Sequence, residues 1–324
     1  MISGDSLRIN FQKEVFGEDF RYEDYKHIFK AELFDADAWA ELFKRSGAKY
    51  VVFTSKHHDG YCMYDSRYAK GWSSATTAPQ RDFCKELTDA VRKRDMKMCM
   101  YYSLTEWTNP LYRWTVDTLK SIDEYVEKHL HPQFKEMVDM FSPSLVFSDG
   151  DWDFDYKTFK SDELVSYYFD KVGEEAIVND RWGGGFDYGY VTPEYSEAIK
   201  QTERPWAECR GLSRSFGLNR NADLESYLTS EELIRHFVRL VAAGGGLTIN
   251  VGPAADGSIP LLQQERLSDL GQWLEINGEA IYGCTTFTKS EESYDVLLPR
   301  ADKQIDFDWV RNAPLKAMPA DNFS

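Results

Sequence analysis

The chain is short of positive charge: 38 basic residues stand against 54 acidic ones, a formal net charge of −16. A field of that sign repels phosphate backbones and anionic membrane surfaces, so nucleic acid is not an expected partner. Also missing is any apolar run of about 18 residues or a charged-then-apolar leader, so neither a membrane span nor a recognisable signal peptide is expected. Cysteine is sparse. Cys62, Cys84, Cys99, Cys209 and Cys284 are scattered, odd in number and without a C-x-x-C pair. That pattern suggests neither a zinc knuckle nor a compact disulfide framework and leaves mostly buried thiols. Aromatics, by contrast, are plentiful, with 9 Trp, 19 Tyr and 20 Phe. Aromatic faces are the usual packing surface for sugar rings, and an aromatic-rich core would produce the same count.

With 324 residues, 42% of them hydrophobic, the chain can bury one large core, enough for a single α/β barrel plus an appendage. Amphipathic helix, short joint, apolar strand and polar-aromatic loop recur along it, which implies a parallel sheet. The first unit runs from Asp35, a helix N-cap, through Trp39, Leu42 and Phe43 to Gly47 as a helix stop, then to the strand Tyr50–Phe53. Further strands are expected at Met96–Tyr102, Leu145–Ser148, Ala176–Val178, Trp206–Cys209, Leu247–Val251 and Ala280–Tyr282. A helix with apolar positions from Ile122 to Phe141 precedes the third, with a kink expected at His131-Pro132. A (β/α)8 barrel needs an eighth strand, which would precede Phe34, and the first 33 residues hold no four-residue apolar run. After Cys284 the periodicity stops. The expected division is a barrel over 1–283 and an irregular or β remnant over 284–324.

In parallel α/β folds the reacting groups sit at the C-terminal ends of strands. Leu145-Val146-Phe147-Ser148-Asp149-Gly150-Asp151-Trp152 is such an end, which makes Asp149 the first catalytic candidate, against the reading that it caps a helix or closes a turn. Lys56-His57-His58-Asp59-Gly60 follows an earlier strand. Adjacent residues on a strand point to opposite sides, so His57 and His58 suit hydrogen bonds to a ligand better than a shared metal; structural histidines are the plainer alternative. The run Asp149, Asp151, Asp153, Asp155 resembles a calcium loop but lacks glycine at the sixth position. Gly244-Gly245-Gly246 follows a helix and precedes a strand, the reverse of a phosphate-binding loop, and reads as a helix stop with a tight turn. Arg181 lies beside Trp182, a pairing that can fix a polar ring or form a surface ion pair. Glu194, 45 residues beyond Asp149, supplies a second loop carboxylate. Two carboxylates over one pocket suit glycosidic bond cleavage.

These segments also carry a resemblance. Ala48 to Gly60 with its Lys-His-His-Asp-Gly, Lys97 to Ser103, Phe147-Ser148-Asp149-Gly150, Val178 to Gly183 with its Asn-Asp-Arg-Trp-Gly, and Asn277 to Gly283 are, in that order, similar to the α-L-fucosidases of glycoside hydrolase family 29. The resemblance covers roughly Phe11 to Gly283. It implies a (β/α)8-like catalytic domain followed by a β-sandwich, and release of terminal α-L-fucose with retention and without cofactor or metal. Asp149 then resembles the nucleophile and Glu194 the acid/base, with Glu208 in reserve. His57 and His58 resemble fucose ligands, Tyr101 a residue near the reacting carbon, Arg181 a ligand near the acid/base and Phe216 a wall for the fucose methyl group; Trp152 is expected among the substrate-binding residues. The implied substrate is a fucosylated glycan or glycoconjugate, and the implied setting lysosomal, periplasmic or secreted. The family's His-Trp-Gly strand and Glu-Trp-Tyr segment have no counterpart here, so a barrel lacking its first strand is expected, with open edges that favour a homo-oligomer. Two other readings remain at this stage: a catalytically impaired fucose- or glycan-binding remnant, and a metal-dependent barrel hydrolase using His57, His58 and Asp149.

Overall fold

Period-two runs of apolar residues pair edge to edge in a computed structural model that describes residues 6–112, 121–196 and 204–284. Strands β1 (Tyr50–Lys56), β2 (Lys97–Ser103), β3 (Leu145–Asp149) and β4 (Ile177–Val178) form one sheet in that order, every pair parallel. β5 (Ala207–Gly211) and β6 (Gly246–Asn250) form a second parallel pair. Single parallel bridges, Asn179 to Tyr190, Val191 to Trp206 and Glu194 to Cys209, link the two sheets through residues 190–194.

Parallel neighbours require crossovers. Helices α1 (Ser6–Phe16) and α2 (Ala36–Arg45) precede β1; α3 (Phe83–Arg92), α4 (His131–Phe141) and α5 (Ser161–Val172) follow β1, β2 and β3; α6 (Ser230–Ala242) and α7 (Leu261–Asn277) flank β6. The strand period decides which side chain faces which layer. On β1, Val51 and Phe53 turn outward to the main helix-side cluster, whereas Tyr50 and Val52 turn inward with Cys99, Tyr101 and Phe147. Helix ends follow the caps: Asp35 accepts a bond from the Ala38 N–H, and Thr229 with Glu232 closes a reciprocal capping box on α6, contacts worth about 1 kcal/mol each. At Gly271, α7 lies against the end of α2 so closely that a Cβ would sit 1.8 Å from the Arg45 carbonyl oxygen.

The helix before β3 runs without a break through a π-helical turn, Val126–Leu130, into α4, and Pro132 lies just past that turn. One expectation needs correction. The expected strand Ala280–Tyr282 is a helical turn: a 3-10 segment spans Gly278–Ala280, and the Ile281 and Tyr282 N–H groups both return to the Gly278 carbonyl. A three-residue run whose N–H groups are satisfied locally has none left for a ladder. Among the described residues the strands form two sheets rather than one closed ring, with β1 paired only to β2 and β6 only to β5. The segment expected to begin a β domain, 284–324, lies outside the described residues apart from Cys284. No helix among the described residues is long and apolar enough to cross a membrane.

Candidate active site

Asp149 closes β3, and Gly150 follows it with φ +81°, in the left-handed region where a Cβ would also meet Thr105 Oγ1 at 2.8 Å. The glycine turns the chain away and leaves the carboxylate at the strand end. Tyr101 of β2 donates to Asp149 Oδ2 at 2.6 Å, and Arg181 Nη1 donates to Asp149 Oδ1 at 3.2 Å. Beneath them rings are layered: His57 stacks on Tyr101 at 5.3 Å, Tyr101 on Phe147 at 5.8 Å, and the Arg181 guanidinium lies 5.3 Å over Phe147. Burial and the Asp149 carboxylate push the Tyr101 phenol far up, so it acts as a donor throughout the working pH range.

The same Arg181 nitrogen reaches Glu194 Oε1 at 2.5 Å, so one guanidinium joins both carboxylates. Its orientation is fixed from behind, because Nε donates to Thr192 Oγ1 at 2.9 Å, Nη2 donates to the Thr192 carbonyl at 2.7 Å, and Thr192 Oγ1 donates to Asp180. Burial works against the charge on Arg181, but Asp149 and Glu194 outweigh it and hold the group protonated. Glu194 is the more open of the two acids, its side chain 42% exposed against 12% for Asp149. Glu208, the reserve candidate, is elsewhere: it is fully buried, bonded to His236 of α6 and to the Ser196 N–H, and does not line the cavity.

His58 Nδ1 lies 2.7 Å from Ser103 Oγ, and its Nε2 faces Asp149 Oδ2 at 3.6 Å, too long for a hydrogen bond. Burial, then the neighbouring His57, push its pKa down to about 4 against the pull of Asp149, so the imidazole is neutral at pH 7. Burial likewise lowers His57. Trp152, 56% exposed, meets His58 edge-on at 5.1 Å. Among the described residues, no three His, Cys, Asp or Glu side chains converge as a metal site would need. The acidic run disperses: Asp153 accepts from Tyr112, and Asp155 caps the helical turn Tyr156–Phe159.

His57, His58, Tyr101, Asp149, Trp152, Arg181, Glu194 and Phe216 all line one cavity of about 1320 Å³ at the C-terminal ends of the strands. Several supporting residues escaped notice in the sequence. Lys56, fully buried beside His57, donates to Glu106 Oε1 at 2.7 Å and to Gln133 Oε1 at 3.0 Å, and Glu106 also meets His129 at 2.8 Å. Glu106 lies just past the end of β2, a strand-end position that could have flagged it. Asp59, one residue after the histidine pair, accepts from Tyr22 Oη at 2.8 Å, and burial raises its pKa. Thr192, and Arg220, which also lines the cavity, carried no signal of their own.

Comparison with known proteins bears on this geometry. A family model described as Alpha-L-fucosidase matches residues 3–279. The alpha-L-fucosidase of Dictyostelium discoideum is 36% identical over 297 residues, 88% of this chain and 64% of that protein. The human plasma alpha-L-fucosidase is 34% identical over 296 residues, 88% of this chain and 63% of that protein. The chain thus spans less than two thirds of the length of these relatives. Among solved structures, a Thermotoga maritima alpha-fucosidase with a mechanism-based inhibitor superposes with a TM-score of 0.78 at 36% identity, covering 88% of this chain and 66% of that one. The same enzyme in complex with fucose gives 0.75, covering 86% and 65%. With a family model matched over most of its length and relatives above one-third identity, the chain belongs to the alpha-L-fucosidase family.

Proposed function

We propose that this chain is a retaining glycoside hydrolase that releases terminal α-L-fucose from glycans or glycoconjugates, with Asp149 as nucleophile and Glu194 as acid/base. The observation that carries the reading is the shared guanidinium. Contacts of 3.2 and 2.5 Å from one Arg181 nitrogen hold the facing oxygens of Asp149 and Glu194 closer than the roughly 6.5–9.5 Å that an inverting enzyme keeps open for water. In the first step an Asp149 oxygen attacks the anomeric carbon while the protonated Glu194 gives its proton to the departing glycosidic oxygen. In the second, Glu194 takes a proton from water, which displaces Asp149 from the sugar and restores both groups. The more enclosed Asp149 suits the nucleophile, and the more exposed Glu194 suits exchange of protons with leaving group and water.

Neutral His57 and His58 fit the role of hydrogen-bonding partners for sugar hydroxyls, and Phe216, packed against Tyr195 at 5.0 Å, that of an apolar wall. Trp152 offers an exposed ring at the mouth. Residues 1–283 act in this reading as the catalytic unit, with parallel strands laid out as a (β/α)8-like barrel short of one strand. Glu208 is set aside as acid/base because its carboxylate is fully buried outside the cavity.

The test is release of the phenol from an aryl α-L-fucoside by the purified chain, beside an Asp149→Gly variant with and without azide. Activity lost in the variant and restored as a β-fucosyl azide supports a retaining fucosidase with Asp149 as nucleophile. A folded chain that binds fucose without turnover, unchanged by Asp149→Asn, rejects it in favour of a binding protein.

A further inference from the structure

Among the described residues Glu208 is the most deeply buried carboxylate, 0% exposed, and the chemistry assigned above leaves it unused. It sits on β5, where Cys209 turns to the cavity and Glu208 to α6. Taking a carboxylate wholly out of water is costly, and an apolar side chain of like volume would join β5 to α6 as well or better. What an apolar side chain lacks is an acceptor. Glu208 Oε2 meets His236 Nε2 of α6, and Oε1 accepts from the Ser196 N–H at 3.0 Å. Arg210 Nη1 lies 3.8 Å from the same Oε1 and 3.3 Å from His236 Nε2. Ser196 is two residues past Glu194. Between them Tyr195 stands at φ +44°, in the left-handed region that a bulky side chain seldom enters. Strain of that kind persists only where the surroundings over-determine it. Here the Gly211 N–H donates to Tyr195 Oη at 3.1 Å, and the Arg210 guanidinium lies 5.5 Å over the Tyr195 ring. Only glycine admits that approach, because a Cβ at 211 would lie 2.8 Å from the Tyr195 hydroxyl.

We propose that Glu208 is a positioning residue for Glu194: through the Ser196 N–H, and together with Tyr195, it locks the left-handed turn that aims the Glu194 carboxyl into the cavity. The inference rests on the assignment of Glu194 as acid/base and adds what holds that group in place. Glu194 needs such support, because its side chain is 42% exposed and its segment joins the sheets only through single bridges. Arg181 fixes one end of the segment, bonding Glu194 itself and the Thr192 carbonyl. β5 fixes the other, where the Cys209 N–H donates to the Pro193 carbonyl at 2.8 Å and Glu208 takes the Ser196 N–H. Without the bonds to Glu208 and Gly211, Tyr195 would relax to negative φ, a swing of roughly 100° that re-aims the adjacent carboxyl. A displacement of about 1 Å from the leaving oxygen costs on the order of 100-fold in rate. Glu208 itself touches neither sugar nor reacting atoms.

Leaving groups separate positioning from general support of the fold. kcat/KM covers the steps up to the glycosyl-enzyme, in which a dinitrophenolate departs without a proton and a sugar hydroxyl does not. Glu208→Met keeps the volume and removes both acceptors. It is expected to lower kcat/KM about 100-fold on a fucosyl disaccharide and less than about threefold on a dinitrophenyl α-L-fucoside. On the aryl substrate kcat should fall and rise again with azide, which needs no base to displace Asp149. Glu208→Gln keeps an oxygen for the Ser196 N–H and should recover most of the disaccharide rate. Should Glu208→Met fail to fold, Tyr195→Phe, which keeps the ring and removes the acceptor for the Gly211 N–H, is expected to show the same split at about 10-fold. Equal losses on the two substrates, or none on either, overturn the proposal. So does a disaccharide loss that adds in full to that of Glu194→Gln, since two residues acting through one group do not add. If Glu194→Gln alone shows no leaving-group split, Glu194 is not the acid/base and both readings fall; a split there with none in the Glu208 or Tyr195 variant overturns the positioning role alone.

Discussion

Arg181 is the residue on which both carboxylates depend. Its one nitrogen meets Asp149 and Glu194 while the rest of the fork is held by Thr192. Lysine keeps the charge but supplies a single ammonium on a flexible stem, which cannot hold all these partners at once. Arg181→Lys is therefore expected to lower kcat/KM on an aryl α-L-fucoside by about 2–3 kcal/mol, roughly 30- to 150-fold, with an unchanged circular dichroism spectrum; a loss below about threefold would show that the bridge is incidental. His58 makes a second prediction, in stability. Its folded-state pKa of about 4 lies below the ordinary 6.5, so between those values the unfolded chain binds a proton that the folded chain does not. Stability from this group is therefore complete above pH 6.5 and falls as pH drops to 4, by on the order of 3 kcal/mol. The difference in urea midpoint between parent and His58→Gln should shift in the parent's disfavour over that interval, and a pH-independent difference would refute the assignment. Strand-end position pointed to Asp149 and the histidine pair, whereas Tyr101 and Phe216 were named only through the family resemblance. The choice between Glu194 and Glu208 was not legible, since it turns on side-chain parity: Cys209 faces the cavity, so Glu208 beside it points to α6, and the register of so weak a strand is not written in its composition.

At the scale of elements, the end of β1 is held by a buried ion pair that reaches two other segments. Lys56 is 0% exposed and Glu106 4%; the lysine also touches Gln133 of α4 and lies 4.0 Å over the Tyr102 ring, while Glu106 is shared with His129 of the π-helical turn and Asn109. Burial disfavours the Glu106 carboxylate, yet Lys56 and His129 more than offset it and bring its pKa down to about 2. Removing one partner leaves a buried charge without its main counterion. Lys56→Met is thus expected to cost about 3–5 kcal/mol in denaturant unfolding, and the double variant with Glu106→Gln to recover much of it. A single variant within about 1 kcal/mol of the parent would mean that His129 alone satisfies the carboxylate. Elements with clear periodic faces, such as α3 and α6, were legible because many positions report one period. The π-helical turn and the Gly278–Ala280 turn were not, because a handful of apolar residues reads equally well as strand or helix and local N–H bonding settles it.

For the whole molecule, repeated helix-strand units announced a parallel α/β architecture, and both observed sheets are parallel throughout. The link between the two sheets was not legible, because it runs through single bridges at residues 190–194 that carry no strand signature. Net charge, by contrast, is wholly legible and has a consequence for substrates. At −16 the molecule's field lowers the local concentration of anions around the cleft, and salt screens it over a Debye length of about 10 Å at 0.1 M and about 3 Å at 1 M. A neutral aryl fucoside feels none of this. On a fucosylated oligosaccharide bearing sulfate or sialic acid, kcat/KM is expected to rise several-fold between 0.02 and roughly 0.5 M salt while the neutral substrate stays flat. A fall with salt on the anionic substrate would place control in the local field of Arg220 at the cavity lining rather than in the molecule's total charge. Equal, flat responses would remove electrostatics from substrate choice altogether and leave discrimination to contacts such as Trp152 at the mouth.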